Sequence, residues 1–215
     1  PRPGEGIPDT NPQQLCLGEG AMLLRGFAKQ FDVALMAAIE EVVAAAPLRH
    51  MTTPGGYTMS VAMTNCGQVG WVTNRSGYSY DTTDPETGKP WPVLREVFRA
   101  LATDAARHAG FEHFVPDACL INCYQPGAKL SLHQDKNERD KTAPIVSISL
   151  GLPAVFLFGG RSRSDRLKRY RLVHGDVAVW GGTTRLAYHG IAPLADGYHP
   201  LLGRRRINLT FRKAL

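Results

Sequence analysis

Two stretches of the chain repeat apolar residues at the three- to four-residue spacing of a helix face. The first runs over residues 31–46 and ends before Pro47, and the second begins at Pro92 and ends before Gly110. Proline suits the first turn of a helix and glycine the position after its last turn. We predict two helices, with stripes at Phe31, Leu35, Ile39, Val42 and Ala46, and at Leu94, Val97, Phe98, Leu101 and Ala105.

The segment between the two helices has a different character. Residues 50–91 are rich in Gly, Thr, Asn, Tyr and Pro, and they include one run in which Met59, Val61 and Met63 alternate with smaller or polar residues. Turn signals lie on both sides of this run. We predict a strand-and-loop excursion that covers a site.

After Gly110 the apolar runs are short and are separated by Gly, Pro and Asp, which is typical of strands. Eight short strands with tight turns favour a double-sheet barrel or jelly roll. Because helices come first and strands follow, we predict an α+β fold in one domain of 215 residues. The predicted strands are 118–124, 130–134, 145–151, 154–158, 170–173, 177–180, 187–190 and 206–212.

Composition excludes several classes of protein. A hydrophobic content of 43% and a charged content of 20% are those of an ordinary globular chain rather than a disordered one. No run approaches the ~18 apolar residues of a membrane span, and no signal-peptide pattern occurs, so we expect a cytoplasmic protein. The four cysteines form no Cys-x-x-Cys pair, and we expect buried, reduced thiols.

The formal net charge of +6 is unevenly distributed. Residues 161–215 contain twelve Lys or Arg and three Asp, and half of those basic residues lie within 161–171. Such a segment attracts polyanions and suits phosphate contacts, which makes nucleic acid the leading candidate partner. The alternative is a solvated loop that is basic for solubility.

A histidine and a carboxylate lie two residues apart at His133 and Asp135, so an extended backbone directs both side chains to the same face of a sheet. One further histidine would complete the two-histidine, one-carboxylate set of non-haem Fe(II) oxygenases, which leaves coordination positions open. A second copy, His174 and Asp176, precedes an apolar strand, and we interpret it as a turn. Spacing alone does not choose between the copies.

The predicted strand 206–212 has one apolar and one cationic face. Guanidinium groups inside a barrel need an anion, because buried charges demand partners. A small dicarboxylate would satisfy them through charge-assisted hydrogen bonds. The alternative is an exposed edge strand that its arginines protect. The polar face consists of Arg206, Asn208, Thr210 and Arg212, and in strand 118–124 Leu120, Asn122 and Tyr124 likewise share a face.

These residues together resemble one known family. The motif His133-x-Asp135, the distant His189 and the terminal motif Arg206-x-Asn208-x-Thr-Phe-Arg212 are similar to those of the AlkB family of Fe(II)- and 2-oxoglutarate-dependent nucleic-acid dealkylases. Longer runs are similar to its bacterial members over most of residues 20–213. The resemblance implies a double-stranded β-helix core with the second helix at 93–215, an N-terminal extension with a helix at 1–49, and a nucleotide-recognition lid at 50–92.

The resemblance also implies how the cofactors bind. It assigns Fe(II) to His133, Asp135 and His189, and it leaves the copy at His174 and Asp176 structural. It places 2-oxoglutarate between two arginines with three further residues assisting. These residues are Arg206 and Arg212, with Asn122, Tyr124 and Asn208.

For the substrate, the resemblance implies that the target base lies between Trp71 and the imidazole of His133. The remaining implied roles are a phosphate contact for Tyr78, cavity walls at Met63, Leu120 and Trp180, and nucleic-acid or pocket contacts for Lys129, Gln134 and Arg163. From their negative charge we also expect Asp135 and Glu138 to attract a cationic base. One position departs from the bacterial members, since Asn137 stands where they have an acidic residue. The alternative for Trp71 and Tyr78 is ordinary packing within the lid.

We therefore predict an oxidative repair dealkylase that uses Fe(II), 2-oxoglutarate and O₂. It would demethylate 1-methyladenine and 3-methylcytosine in single-stranded or locally opened DNA, with RNA as a second substrate, and act as a monomer. One alternative is an oxygenase of the same core that acts on proteins or amino acids. The other is a non-catalytic basic binding module whose histidines are structural or hold zinc.

Overall fold

The computed structural model describes residues 13–215, so the first twelve residues of the expected N-terminal extension lie outside the described part. The two helices are α1 (Asp32–Ala45) and α2 (Glu96–His108). The strands are β1 (Gln14–Gly18), β2 (Ala21–Leu24), β3 (Arg49–Thr52), β4 (Thr58–Gly67), β5 (Gly70–Asn74), β6 (Gly77–Asp81), β7 (Ala118–Tyr124), β8 (Leu130–His133), β9 (Ile145–Gly151), β10 (Ala154–Phe158), β11 (Lys168–Leu172), β12 (Val177–Trp180), β13 (His189–Ile191) and β14 (Arg206–Arg212).

The strands form two facing antiparallel sheets and one separate hairpin. The large sheet has eight strands in the order β1-β2-β12-β9-β14-β7-β4-β3, and the small sheet has four in the order β11-β10-β13-β8. Among the described strands, β5 and β6 pair with each other alone. The predicted α+β fold with a jelly-roll core is confirmed.

The core is divided between the two faces of the large sheet. Its outer face packs against both helices, and its inner face packs against the small sheet. Strand β14 lies in the centre, between β7 and β9, so both of its edges are hydrogen-bonded. Ile207, Leu209 and Phe211 point toward the helices, whereas Arg206 and Arg212 point between the sheets.

This position of β14 shows that the exposed-edge alternative is wrong. The alternation predicted for the strand is confirmed, since the apolar residues enter the helix-facing core and the polar residues face the interior. The same holds for β7, in which Ile121 and Cys123 belong to the helix-facing core while Asn122 and Tyr124 line the interior.

One prediction about local structure is wrong, and two strands were missed. Helix α2 begins at Glu96 rather than at Pro92, because the chain before it is extended and the Pro92 carbonyl accepts a hydrogen bond from the amide of Gly67. Strands β1 and β2 were not predicted, although they extend the large sheet beyond β12. Their apolar residues are too few to reveal a period.

The cysteines and the helices agree with the sequence analysis in part. Cys66, Cys119 and Cys123 are buried free thiols as predicted, whereas Cys16 is exposed. Burial raises the pKa of Cys119, which keeps this thiol protonated and unreactive. Neither helix within residues 13–215 combines the length and the apolar character needed to cross a membrane.

Candidate active site between the two sheets

A cavity of about 760 Å³ opens between the large and small sheets. The hairpin β5–β6 and the loop before β4 form one side of its mouth, and β14 forms its floor. All but one of the site residues predicted from the sequence line this cavity. They are Met63, Trp71, Tyr78, Leu120, Asn122, Tyr124, Lys129, His133, Gln134, Asp135, Arg163, Trp180, His189, Arg206, Asn208 and Arg212.

Three of these residues form a group with metal-binding geometry. The ligand atoms of His133, Asp135 and His189 all lie within 4.8 Å of one another, and no other such group occurs among residues 13–215. Nε2 of His133 is 3.9 Å from Oδ1 of Asp135, and Nε2 of His189 is 3.7 Å from its Oδ2. Strands β8 and β13 are neighbours with His133 opposite His189, so the pairing itself brings the two rings together.

The second ring nitrogens fix the orientation of both histidines. Nδ1 of His133 is 2.8 Å from the carbonyl oxygen of Ser131, and Nδ1 of His189 is 2.9 Å from that of Ala187. A carbonyl oxygen only accepts hydrogen bonds, so each Nδ1 carries the proton and each Nε2 offers a lone pair toward Asp135. Two imidazoles and one carboxylate in this state suit Fe(II).

The protonation of the group favours a metal ion at neutral pH. Burial and the neighbouring imidazole lower the pKa of His189 to about 4, so this ring is neutral at pH 7. Burial alone would raise the pKa of Asp135, but the Arg212 guanidinium and the two imidazoles outweigh it and hold that pKa well below its ordinary value. Asp135 is therefore an ionised ligand.

Two arginines hold Asp135 from different sides. Nη2 of Arg212 donates to both carboxylate oxygens at 3.0 and 3.1 Å, and Nη1 of Arg185 donates to the backbone carbonyl at 2.7 Å. Glu138 balances these cations, since it accepts a bond from Arg185 at 2.9 Å and lies 3.6 Å from Nε of Arg212. The four charged side chains form one buried network with no net charge.

Arg206 differs from Arg212 because its charge has no partner. It is fully buried, donates to Ser149 Oγ at 3.1 Å and lies 4.8 Å from the ring centroid of Tyr124. Among the described residues it forms no ion pair, and its Nε and Nη1 have no hydrogen-bond partner. Burial lowers its pKa, with Tyr124 opposing the shift. An uncompensated buried guanidinium is costly, and a carboxylate of 2-oxoglutarate fits this position.

Further polar groups on the cavity floor lie along the line from Arg206 to the metal group. Asn122 donates to Asn208 Oδ1 at 3.2 Å, and Asn208 donates to Ser147 Oγ at 2.7 Å. Oδ1 of Asn122 and Nε1 of Trp180 are buried and have no hydrogen-bond partner within the described part of the chain. These unpaired donor and acceptor atoms suit a small polar co-substrate rather than an apolar one.

The aromatic residues at the cavity mouth form a platform on the hairpin. The rings of Trp71 and Tyr78 are stacked with centroids 5.2 Å apart and an interplanar angle of 14°. Asn65 holds the backbone of Trp71 through two hydrogen bonds, of 2.9 and 3.0 Å. Tyr78 is 44% exposed, so the stack presents an aromatic edge to solvent.

The rim of the cavity is polar and basic. Gln134 donates to the carbonyl of Leu186 at 2.7 Å, and Arg163 donates to that of Leu132 at 3.0 Å and lies over the ring of Tyr188. Both side chains thus have structural contacts as well as a position on the cavity. Whether Lys129, Gln134 and Arg163 also bind substrate stays a prediction.

Glu138 is the one predicted site residue that does not line the cavity. It is 3% exposed, and its oxygens accept bonds from Tyr80 and Arg185. The expectation that it attracts a cationic base is therefore corrected, because the neighbouring arginines neutralise its charge.

Several residues of the site were missed by the sequence analysis. Ser147 and Ser149 alternate with apolar residues in β9, and this alternation predicts a polar face toward the interior, as it does in β14. Arg185 and Tyr80 carry no such signal, because one lies in a loop and the other on a partly exposed hairpin.

The rival His-x-Asp copy has a different role. Nδ1 of His174 accepts the amide of Gly151 at 3.0 Å, and its Nε2 donates to Asp32 at 3.0 Å. Asp176 pairs with Arg25 at 2.6 Å. Neither side chain lines the cavity, so both are structural.

Comparison with known proteins agrees with this geometry. A model of the 2OG-Fe(II) oxygenase superfamily matches residues 20–212. The chain is 59% identical over 206 residues to the alpha-ketoglutarate-dependent dioxygenase AlkB of Escherichia coli, which covers 96% of this chain and 95% of that protein. It is 30% identical over 156 residues to the tRNA demethylase abh1 of Schizosaccharomyces pombe, which covers 66% of this chain and 52% of that protein. The solved structure of OsALKBH1 superimposes with a TM-score of 0.83 at 29% identity and covers 94% of this chain and all 100% of that one.

We predict that His133→Ala abolishes metal binding without unfolding the protein, because the side chain is only partly buried and its Nε2 points at the other ligands. His174→Ala should still bind one metal ion, although the Gly151 amide loses its acceptor at a cost of about 1–3 kcal/mol in stability. Calorimetry with Mn(II) and thermal melts measure both effects. Retained binding in His133→Ala together with loss in His174→Ala would reverse the choice of triplet.

We also predict that Arg206→Met weakens 2-oxoglutarate binding by a hundredfold or more, since it removes a buried cation worth about 3 kcal/mol to an anionic ligand. The folded protein should be no less stable, because methionine fills the site without a buried charge. Calorimetry on the Mn(II)-loaded protein tests this. The matched control is Arg204→Met, which removes an exposed guanidinium two residues away. Equal affinities in both variants would contradict the assignment.

Proposed function

The chain belongs to the 2OG-Fe(II) oxygenase superfamily and, within it, to the AlkB family, and from this premise we propose that it removes methyl groups from N-alkylated bases of nucleic acid. It is an Fe(II)- and 2-oxoglutarate-dependent dioxygenase. One observation carries the proposal: a two-histidine, one-carboxylate group, an unpaired buried arginine and an aromatic pair all open into one cavity.

When bound, iron together with 2-oxoglutarate and O₂ supplies an oxidation that releases succinate and CO₂ and hydroxylates the N-methyl group, after which the hemiaminal loses formaldehyde. The residues of this chain provide binding, orientation and exclusion of water. His133, Asp135 and His189 would hold the metal. Arg206 would bind one carboxylate of the co-substrate, with Asn122, Tyr124 and Asn208 beside it.

Arg212 has a different role in this scheme from that of a simple second clamp. Its Nη2 is engaged with Asp135, and its Nε faces Glu138 Oε1 at 3.6 Å. We propose that this side chain orients the carboxylate ligand and contributes positive charge near the metal-proximal end of the co-substrate. An arginine held in this way loses little side-chain entropy when it acts.

The substrate would enter beside the hairpin, and we propose that the segment 50–92 acts as its recognition lid. An extruded base would stack on Trp71, with Tyr78 near the phosphate of its nucleotide and Met63, Leu120 and Trp180 as walls. A methyl group on the Watson–Crick edge blocks pairing, so extrusion of such a base is cheaper than extrusion of a paired one.

We propose that the basic segment 161–171 binds the phosphate backbone. Its arginines and lysine are exposed, and Arg163 lines the cavity, so the segment begins next to the site. Single-stranded or locally opened DNA fits this arrangement, and RNA offers the same phosphates and base faces. We propose that the protein acts as a monomer, since one chain supplies all the residues of the site, and that it works in the cytoplasm.

An oxygenase that acts on proteins or amino acids is not favoured. It would need neither an exposed basic segment nor an aromatic platform at the mouth of the cavity. A non-catalytic module that holds zinc is disfavoured as well, because a structural zinc site has four protein ligands and, within residues 13–215, three converge here.

Neutralising the exposed cations of the basic segment should weaken binding of every oligonucleotide to a similar degree. We predict that changing Arg161, Arg166, Lys168 and Arg169 to Gln lowers the slope of log affinity against log salt by about 0.7 for each lost phosphate contact. Arg163 stays unchanged because it contacts the cavity wall. Fluorescence anisotropy over a salt series measures the slope. Arg99→Gln and Arg107→Gln on α2 are the controls, and a loss confined to one base sequence would refute the phosphate role.

The lesions should be ranked by charge. 1-Methyladenine and 3-methylcytosine are cationic, and a cation over an indole face gains about 0.5–2 kcal/mol, whereas neutral 1-methylguanine and 3-methylthymine gain nothing comparable. We predict that the two cationic lesions are repaired faster than the two neutral ones in single strands. Trp71→Ala should slow the repair of all four lesions and reduce the difference in rate between cationic and neutral ones.

Mass spectrometry of oligonucleotides that carry the four lesions, incubated with Fe(II) and 2-oxoglutarate, measures these rates together with succinate. If none of the four lesions is demethylated, the proposed function is wrong. Equal rates for cationic and neutral lesions would show that shape governs the pocket. The uncharged Asn137, which contacts the Tyr78 carbonyl, would then be the first residue to change.

A further inference from the structure

One link between the hairpin β5–β6 and the surroundings of the metal group runs through a carboxylate oxygen of Glu138. The hydroxyl of Tyr80, on β6, donates to Oε1 of Glu138 at 2.6 Å. The same oxygen lies 3.6 Å from Nε of Arg212, whose Nη2 donates to Asp135. One atom of Glu138 thus faces both the hairpin and the side chain that orients a metal ligand.

The other oxygen of Glu138 completes the connection. Oε2 accepts from Arg185 at 2.9 Å, and Arg185 also donates to the backbone carbonyl of Asp135. Both the carboxylate and the backbone of Asp135 are therefore held by cations that share one anion. A change in the position of Glu138 would be felt at Asp135 through two independent contacts.

On the hairpin, Tyr80 is tied to the aromatic platform. It is the cross-strand partner of Trp71, and its half-buried ring packs against Val69, Ala118 and Ala214 at the base of the hairpin. The backbone position of Tyr80 is therefore tied to that of Trp71. The mechanism described above gives Tyr80 and Glu138 no contact with the substrate or the co-substrate.

We propose that Tyr80 and Glu138 are positioning residues that couple the hairpin to the metal site. With the hairpin closed, the Tyr80 hydroxyl fixes Glu138, and Glu138 fixes the two arginines that hold Asp135 ready for a metal ion. Coupling between two sites is reciprocal, so metal binding must stabilise the closed hairpin by the same factor. The inference rests on the metal site of the proposed function, and it adds that occupancy of this site prepares the base platform.

Hydrogen exchange of the hairpin amides tests this coupling without any turnover. The full-length protein is measured with and without Mn(II), and the readout is the ratio of exchange rates in residues 70–81 between the two states. We expect metal to slow exchange about fivefold or more in the parent protein, the lower range of typical coupling. In Tyr80→Phe, which keeps the ring and loses only the hydroxyl, the ratio should fall close to one. Tyr198→Phe, at a 77% exposed position, should keep the parent ratio.

A merely structural role for Tyr80 predicts a different result. The lost hydrogen bond would then speed hairpin exchange by the same factor with and without Mn(II), and the ratio would stay at the parent value, which overturns the proposal. Glu138→Gln and the double variant close a mutant cycle. If both residues act through one contact, the double variant should have the same ratio of exchange rates with and without Mn(II) as Tyr80→Phe alone.

Failure of the coupling is distinguishable from failure of the metal assignment. If calorimetry shows no Mn(II) binding to the parent protein, the metal site itself is wrong. If Mn(II) binds and the hairpin exchanges at the same rate in both states, only the coupling is refuted. Oligonucleotide KM provides a second readout: it should rise in Tyr80→Phe while 2-oxoglutarate KM stays within about twofold, whereas an equal rise in both contradicts a role through the hairpin.

Discussion

The cost of placing charge between two sheets governs this structure. A buried ion that loses its hydration must be paired or hydrogen-bonded, or it destabilises the fold by several kcal/mol. Asp135, Glu138, Arg185 and Arg212 meet this requirement among themselves. Arg206 does not, and it lies on the same strand only six residues from Arg212. The unsatisfied charge therefore marks the place where an external anion contributes most.

That distribution of charge depends on the topology. Strand β14 can carry two buried arginines because its opposite face is held by Ile207, Leu209 and Phe211 against both helices. A period of two along one central strand thus separates the part of the molecule that stabilises the fold from the part that binds ligands. The antiparallel partners β7 and β9 add the amides and hydroxyls of the floor, because their own alternation is in register with that of β14. An apolar-to-polar change on one face should therefore affect stability, and a change on the other face should affect binding.

The same periodicity explains which features could be predicted from the sequence. Strand β14 and its two faces were correct because seven alternating residues leave only one register. The predicted start of α2 was wrong because Pro92 fits an extended link as well as it fits the first turn of a helix. The hydrogen bond from the Gly67 amide to the Pro92 carbonyl favours the extended link, and Gly67 is distant in sequence. Arg185 and Tyr80 were missed for a related reason, because each one matters through its hydrogen bond to Glu138. Arg185 is 47 residues from Glu138 in the chain, and Tyr80 is 58 residues from it. Spacing within a motif cannot reveal such partners.

The two His-x-Asp copies show what separates a candidate metal ligand from a structural histidine when the motif is identical. In His133 and His189 the Nδ1 proton is held by a carbonyl two residues earlier in the same chain segment, so Nε2 remains available. In His174 both nitrogens are used, one as acceptor from Gly151 and the other as donor to Asp32. A metal ion at His174 would have to displace at least one of these bonds, and loss of the first would strand the buried Gly151 amide at a cost of about 1–3 kcal/mol in stability. The ability of a histidine to bind a metal ion thus depends on both ring nitrogens. It becomes a candidate ligand when its surroundings hydrogen-bond one nitrogen, here Nδ1, and leave the other, here Nε2, free.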